Sequence, residues 1–193
     1  VYISFSGGKD STVLLDLARK IYPNIKSVFC NTGNEYPDIV KFVRNTKSDG
    51  ANIDIIYPNI KPKDVMEKYG FPLVSKEASR LIRRIKYNPE SKVSRRAMGL
   101  IEEDSIFKLA NKWIFLIKEP FLVSEQCCQK LKKDPFHKYE NETGRYPILG
   151  MMADESNLRK QSYVRQGQCN SFGENGSKIK SLPLSIWTEK DIW

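Results

Sequence analysis

Val1-Tyr2-Ile3-Ser4-Phe5-Ser6-Gly7-Gly8-Lys9-Asp10-Ser11-Thr12-Val13-Leu14-Leu15-Asp16-Leu17-Ala18 opens the chain, and its reading decides the fold. Residues 1–5 form a short apolar run of strand length, while Val13, Leu14, Leu17, Ala18 and Ile21 share one face at helical spacing. Between them lies Ser6-Gly7-Gly8-Lys9-Asp10-Ser11-Thr12. A strand, a glycine-rich turn and a helix N-terminus in succession make an anion site. Glycine lets the backbone approach a phosphate, and the first helical N–H groups and the helix dipole point at its charge. Ser6, Ser11 and Thr12 add hydroxyl donors, and Lys9 adds a cation. Two commoner phosphate loops are excluded. A Walker A loop needs a glycine where Ile3 stands and a Ser or Thr where Asp10 stands. The dinucleotide fingerprint fails because nothing continues the glycine spacing after Gly8.

Outward from this stretch, residues 25–30 read as a second buried strand that runs into Asn31-Thr32-Gly33-Asn34-Glu35-Tyr36-Pro37. Pro37 suits the first turn of a helix whose apolar stripe is Ile39, Val40 and Val43. Residues 52–57 give a third strand and residues 61–69 another short helix. Alternating strands and helices predict an α/β fold, a parallel twisted sheet with helices on both faces and ligand at the C-terminal ends of the strands. Both Ser6–Thr12 and Asn31–Glu35 fall at such ends.

Further along, Ser75 caps a helix with a buried stripe of Ala78, Leu81, Ile82 and Ile85. Lys76, Arg80, Arg83 and Arg84 occupy its remaining surface, joined downstream by Lys92, Arg95 and Arg96. Such a run reads either as a solvated helix face or as a basic wall for phosphate groups or a nucleic-acid backbone. Residues 105–117 mix helical and apolar character without a clear period. Residues 146–152 read as another core strand, and Ala153-Asp154-Glu155-Ser156-Asn157 as the cap of a following helix. Near the end, Thr188 and Asp191 cap a last helix, with Trp187 and Trp193 as packing residues.

With 193 residues, 40% hydrophobic and 28% charged, the chain suits one globular domain over 1–193. Residues 1–60 form its nucleotide-binding core, and residues 61–193 a helical insert and substrate-side half. The net charge of +9 points to an anionic partner. No apolar run reaches membrane-spanning length, and four cysteines without a paired framework argue against a disulfide-stapled secreted domain. The reading expects a cytoplasmic protein with no membrane partner. Val1 lies inside the first strand, so both termini are expected to continue in a longer protein.

The S-G-G-K-D-S-T loop resembles the PP-loop of the N-type ATP pyrophosphatases, a superfamily that includes the adenylyl-sulfate and phosphoadenylyl-sulfate (PAPS) reductases. Motifs similar to those of the PAPS reductase family follow in order over nearly the whole chain. Asn31-Thr32-Gly33 with Glu35 and Pro37 resembles the family's adenosine-contacting segment, with Asn31 where Asp is usual. Ser75-Lys76 with Arg80 resembles its serine-lysine…arginine stretch, and Gly150-Met151-Met152-Ala153-Asp154-Glu155-Ser156 with Arg159 its glycine-x-arginine-alanine-x-glutamate-serine motif, with Met152 in place of arginine. Pro183-Leu184-Ser185-Ile186-Trp187-Thr188 with Asp191 and Trp193 matches a last diagnostic segment.

The resemblance implies an adenine nucleotide alpha hydrolase-like, HUP-type fold. It also implies an adenine nucleotide held by Ser6, Gly7, Gly8, Lys9, Asp10, Ser11, Thr12, Asn31, Thr32, Gly33, Glu35, Lys76, Arg80, Glu155, Ser156 and Arg159. Lys9, Asp10 and Arg159 are the candidate catalytic residues, Arg159 as a planar clamp on an α-phosphate or sulfate. Some members bind a 4Fe–4S cluster, for which Cys127, Cys128 and Cys169 are the candidate ligands; four thiolates are the norm. The same thiols also read as buried structural cysteines or as a sulfur carrier. His137 has no partner that nominates it as a base and reads as a surface residue.

Three functions are open at this point. The intact loop favours an enzyme that uses ATP and Mg²⁺ and cleaves between the α and β phosphates, with a sulfur compound or nucleic acid as acceptor. The alternative is a PAPS or adenylyl-sulfate reductase that releases sulfite. The third is a nucleotide- or nucleic-acid-binding module without turnover.

Overall fold

The structure, a computed structural model, describes residues 1–101, 108–165, 169–173 and 179–193. These fall into two compact units, Val1–Tyr57 with Pro135–Trp193, and Pro58–Asp134.

The first unit is built on a six-stranded sheet. Its strands are β1 (Tyr2–Ser4), β2 (Ser27–Cys30), β3 (Ile53–Ile56), β4 (Pro147–Ile148), β5 (Asn170–Ser171) and β6 (Lys180–Ser181), in the spatial order β3-β2-β1-β4-β6-β5. All pairs are parallel except β5 with β6, so the sheet is mixed at one edge where the sequence predicts parallel strands throughout. Ile3 sits opposite both Ser27 of β2 and Ile148 of β4, so β1 is central. Successive side chains of a strand point to opposite faces. Ile3, Phe5, Phe29 and Ile53 join one core with Leu14, Leu15, Val43, Met152, Leu184 and Ile192, while Tyr2 and Val28 join another with Tyr139. Both faces of the sheet are therefore covered, as parallel strands require.

The helices of this unit follow from local signals. Helix α1 (Lys9–Ile21) buries Leu14 and Leu15 and leaves its last residue, Ile21, exposed. Helix α2 (Pro37–Ser48) starts on Pro37, whose missing N–H costs nothing there, and buries Val43. Residues 135–193 return to this sheet with β4, β5 and β6 and with α8 (Asn157–Arg165) and α9 (Glu189–Ile192), where the sequence assigns a mainly helical half. The strand predicted over 146–152 shrinks to β4, with Pro147, which has no N–H to give the ladder, at its start. Thr188 and Asp191 form the predicted capping box of α9. Trp187 packs on the core as expected, but Trp193 is exposed and donates its indole N–H to Glu189 instead.

The second unit is helical, with α3 (Pro62–Tyr69), α4 (Lys76–Tyr87), α5 (Lys92–Ala97), a 3₁₀ turn (Asn111–Ile117) and α6 (Gln126–Cys128). Helix α6 widens into one π turn (Gln129–Lys133) that leads into α7 (Asp134–Thr143). The Ser75 hydroxyl accepts from the Ala78 N–H, the cap read from the sequence. The predicted stripe of Ala78, Leu81, Ile82 and Ile85 is buried with Ala97, Leu109, Leu116 and Val123. Residues 105–107 of the unassigned segment lie outside the described residues, and 111–117 form the 3₁₀ turn. Among the described residues no helix is long and apolar enough to cross a membrane.

Candidate active site

The loop after β1 is tied by its own serines. The Ser6 N–H donates to Ser11 Oγ (3.1 Å), the two hydroxyls lie 3.0 Å apart, and Ser11 Oγ and Thr12 Oγ1 both donate to the Gly8 carbonyl (2.9 and 3.0 Å). These bonds curl the backbone around the start of α1. The N-cap is Gly8, which has no side chain to satisfy the first turn, and no side-chain cap bond is made. The N–H groups of Lys9, Asp10 and Ser11 have no acceptor within the helix, so this turn can accept an anion. Gly7 has φ +73°, and a Cβ there would lie 3.0 Å from Ile39 Cγ2 and 3.1 Å from Val43 Cγ2 of α2. Glycine is required at this point by conformation and by space.

Lys9 Nζ donates to Asp10 Oδ1 (2.6 Å) and to Glu189 Oε2 (2.8 Å). Asp10 is thereby engaged as a partner of Lys9 rather than as a cap. The hydrogen bond it gives Asp10, then that to Glu189, raises the Lys9 ammonium above its ordinary pKa. Lys9 in turn, with the Trp193 indole, holds the Glu189 carboxyl below the usual carboxylate range. Glu189 belongs to the segment that the sequence reading treats as diagnostic rather than chemical; nothing in its spacing announces this contact.

A second segment reaches the same place from β4. A Cβ on Gly150 would lie 3.0 Å from the Asp10 carbonyl oxygen, 3.1 Å from its carbon and 3.3 Å from the Ser11 nitrogen. The chain leaving β4 therefore runs against the first turn of α1, and only glycine allows so close an approach. Strands β2 and β3 lie on one side of β1, and β4 on the other. The crevice between the C-terminal ends of β1 and β4 is thus the point where strand order reverses, the usual ligand position in such sheets.

The remaining predicted residues are distributed as follows. After β2, Asn31 Oδ1 accepts from the Gly33 N–H (3.1 Å), while Thr32 Oγ1 accepts from the Asn34 N–H (3.2 Å) and donates to Glu35 Oε1 (3.0 Å). This self-bonded turn leads into α2, the helix that Gly7 abuts. After β4, Arg159 pairs with Glu155, and its N–H bonds Ser156 Oγ (3.3 Å). Met152, where the family pattern has arginine, is buried in the main core. Lys76 and Arg80 lie on α4 in the second unit, Arg80 paired with Glu77.

Cys127 and Cys128 belong to the second unit; Cys169, in the first, lies 3.1 Å from Ser185 Oγ. Cys30 is buried at the end of β2. Among the described residues no group of three or more His, Cys, Asp or Glu side chains is assembled for a metal. Magnesium needs only one or two carboxylates beside substrate phosphates. Asp10 of the loop and Glu189 of α9 are the carboxylates on Lys9 Nζ.

The model of the phosphoadenosine phosphosulfate reductase domain matches residues 1–98. The chain is 24% identical over 191 residues to adenosine 5′-phosphosulfate reductase 2 of Bacillus subtilis, covering 97% of this chain and 58% of that protein. It is 38% identical over 72 residues to an uncharacterised protein of Methanocaldococcus jannaschii, covering 36% of this chain and 17% of the other. The chain thus spans little more than half the length of the first relative and a small part of the second. Its fold is similar to that of a PAPS reductase from Candida auris, solved as a phosphate complex, with a TM-score of 0.53, 14% identity and coverage of 99% of this chain and 68% of that one. With half of its length matched, from the strand that precedes the loop to the end of α5, the chain belongs to the phosphoadenosine phosphosulfate reductase domain family.

Proposed function

We propose that this chain binds a sulfonucleotide, an adenosine phosphate carrying sulfate on its α-phosphate, and serves its reduction to sulfite. The carrying observation is the convergence of the loop after β1 and the Gly150 segment after β4 on the uncapped first turn of α1. The family match and the Bacillus subtilis relative support the sulfonucleotide as ligand. In the reaction a dithiol reductant supplies two electrons. The bond between sulfur and the bridging oxygen breaks, sulfite leaves, the adenosine phosphate keeps the oxygen, and the dithiol becomes a disulfide. The departing phosphate gains negative charge, which the N–H groups of α1 and the Lys9 ammonium are placed to stabilise. Asn31, Thr32, Gly33 and Glu35 serve the adenosine, while Glu155, Ser156 and Arg159 flank the phosphate from the β4 side.

A second reading, cleavage of ATP between its α and β phosphates, is favoured by the intact S-G-G-K-D-S loop, with Asp10 and Glu189 as the carboxylates for Mg²⁺. The two are separated by product. Incubation with adenosine 5′-phosphosulfate and a dithiol is expected to yield sulfite, and less of it in Lys9→Ala. Pyrophosphate from ATP and magnesium, without sulfite from the sulfonucleotide, would replace the first reading by the second.

A further inference from the structure

Helix α4 carries a basic stripe that runs well beyond Lys76 and Arg80. Lys76, Arg80, Arg83, Arg84 and Tyr87 stand at i, i+4, i+7, i+8 and i+11, one continuous stripe about 16 Å long at 1.5 Å per residue. It lies opposite the buried stripe of Ala78, Leu81, Ile82 and Ile85. Like charges at i, i+3 and i, i+4 destabilise a helix. A merely solvated face would alternate signs, yet Glu77 is the only acid on α4.

The excess extends to the whole unit. Residues 58–134 hold 17 Lys and Arg against 10 Asp and Glu, so +7 of the net +9 belongs to this stretch. Arg80 is paired with Glu77 and Arg83 with Glu125, whereas Lys76, Arg84, Lys92 and Arg95 form no ion pair among the described residues. At the end of the stripe Arg83, Arg84 and Tyr87, with Asn88, Pro89, Ser91 and one carboxylate, Glu90, line a depression of about 730 Å³. Tyr87 is 63% exposed at its rim. An exposed aromatic ring beside a cation with no ion pair, here Tyr87 next to Arg84, is the pairing used by surfaces that track a single strand, with phosphates on the cations and a base on the ring.

We infer that the α4–α5 face of the second unit, with Arg84, Tyr87, Lys92 and Arg95 at its centre, is a docking surface for single-stranded nucleic acid. The inference goes beyond the sulfonucleotide reading and does not rest on it.

The test is titration of the chain into a fluorescein-labelled single-stranded oligodeoxynucleotide, followed by anisotropy over a range of salt concentrations. With four unpaired cations and about −0.7 per neutralised phosphate, the slope of log K against log salt is expected to be about −3. Arg84→Ala with Arg95→Ala is expected to bring it to about half that value. Tyr87→Ala is expected to weaken binding about tenfold, while Tyr87→Phe, which keeps the ring, binds as the parent does. Circular dichroism and titration with adenosine 5′-phosphosulfate are expected to be unchanged in all these variants, which separates this surface from the nucleotide site and from loss of fold. A salt-independent signal, equal binding by Tyr87→Ala and Tyr87→Phe, or tighter binding to polyglutamate or to phosphatidylserine vesicles than to the oligonucleotide would overturn the inference.

Discussion

Two residues near the loop, Gly150 and Glu189, carry predictions that the motifs alone do not make. A side chain on Gly150 must displace the backbone of Asp10 and Ser11, whose N–H groups face the proposed anion. Gly150→Val is therefore expected to weaken sulfonucleotide binding at least tenfold while costing about 1–3 kcal/mol of stability, the range for overpacking. Calorimetric titration and urea denaturation measure the two separately; unchanged affinity would remove the β4 segment from the site. Glu189 acts in the opposite direction. Its carboxylate occupies Lys9 Nζ at 2.8 Å, the cation an incoming phosphate needs. Glu189→Gln is expected to raise affinity by about two- to fivefold, the scale of an exposed ion pair. Weaker binding would make Glu189 a contributor, as a metal ligand would be. Lys9→Ala removes a charge-assisted bond to phosphate and is expected to lower affinity by about tenfold or more.

Element by element, two hydrogen-bonded groups contribute to the pH response of the fold. Tyr2 on β1 is buried and donates its hydroxyl to Glu140 Oε1 at 2.9 Å. Burial first, then the bond to Glu140, pushes its pKa well above the ordinary tyrosine value. Below about pH 10 the phenol is protonated in both states and its contribution is complete. Above that, the unfolded chain ionises first and stability falls. Tyr2→Phe is expected to flatten the alkaline limb of a stability–pH curve, and an unchanged limb would contradict this. In the second unit Arg83 grips Glu125 with two bonds, 3.0 and 2.6 Å. Burial works against the carboxylate, but the Arg83 bonds prevail and hold its pKa below the ordinary value. This contribution is present above the unfolded carboxylate pKa and is lost as pH falls through the lower folded one. Glu125→Gln is expected to cost about 1–3 kcal/mol at neutral pH and less in acid, read by thermal unfolding across pH.

Across the whole molecule, what the sequence made legible was local. The strand–loop–helix opening, the Pro37 start, the Ser75 cap and the buried stripe of α4 are each set by neighbours a few residues apart, and each appears where periodicity and capping place it. The order of strands is not local. That β4 returns beside β1 and creates the switch point depends on pairing across more than a hundred residues, and only the reach from Gly150 to the loop reveals it. Met152 shows the same limit: its sequence position suggests a missing phosphate contact, while its surroundings make it a core residue. The antiparallel β5 and the exposed Trp193 depend likewise on the neighbours each finds after folding.

The central claim is that a sulfonucleotide sits on the first turn of α1, between the chain leaving β1 and the chain leaving β4. Backbone amide NMR during titration with adenosine 5′-phosphosulfate tests it most directly. Saturable shifts concentrated at Gly8, Lys9, Asp10, Ser11 and Gly150 are predicted. Saturable binding that leaves these five amides unmoved would contradict it.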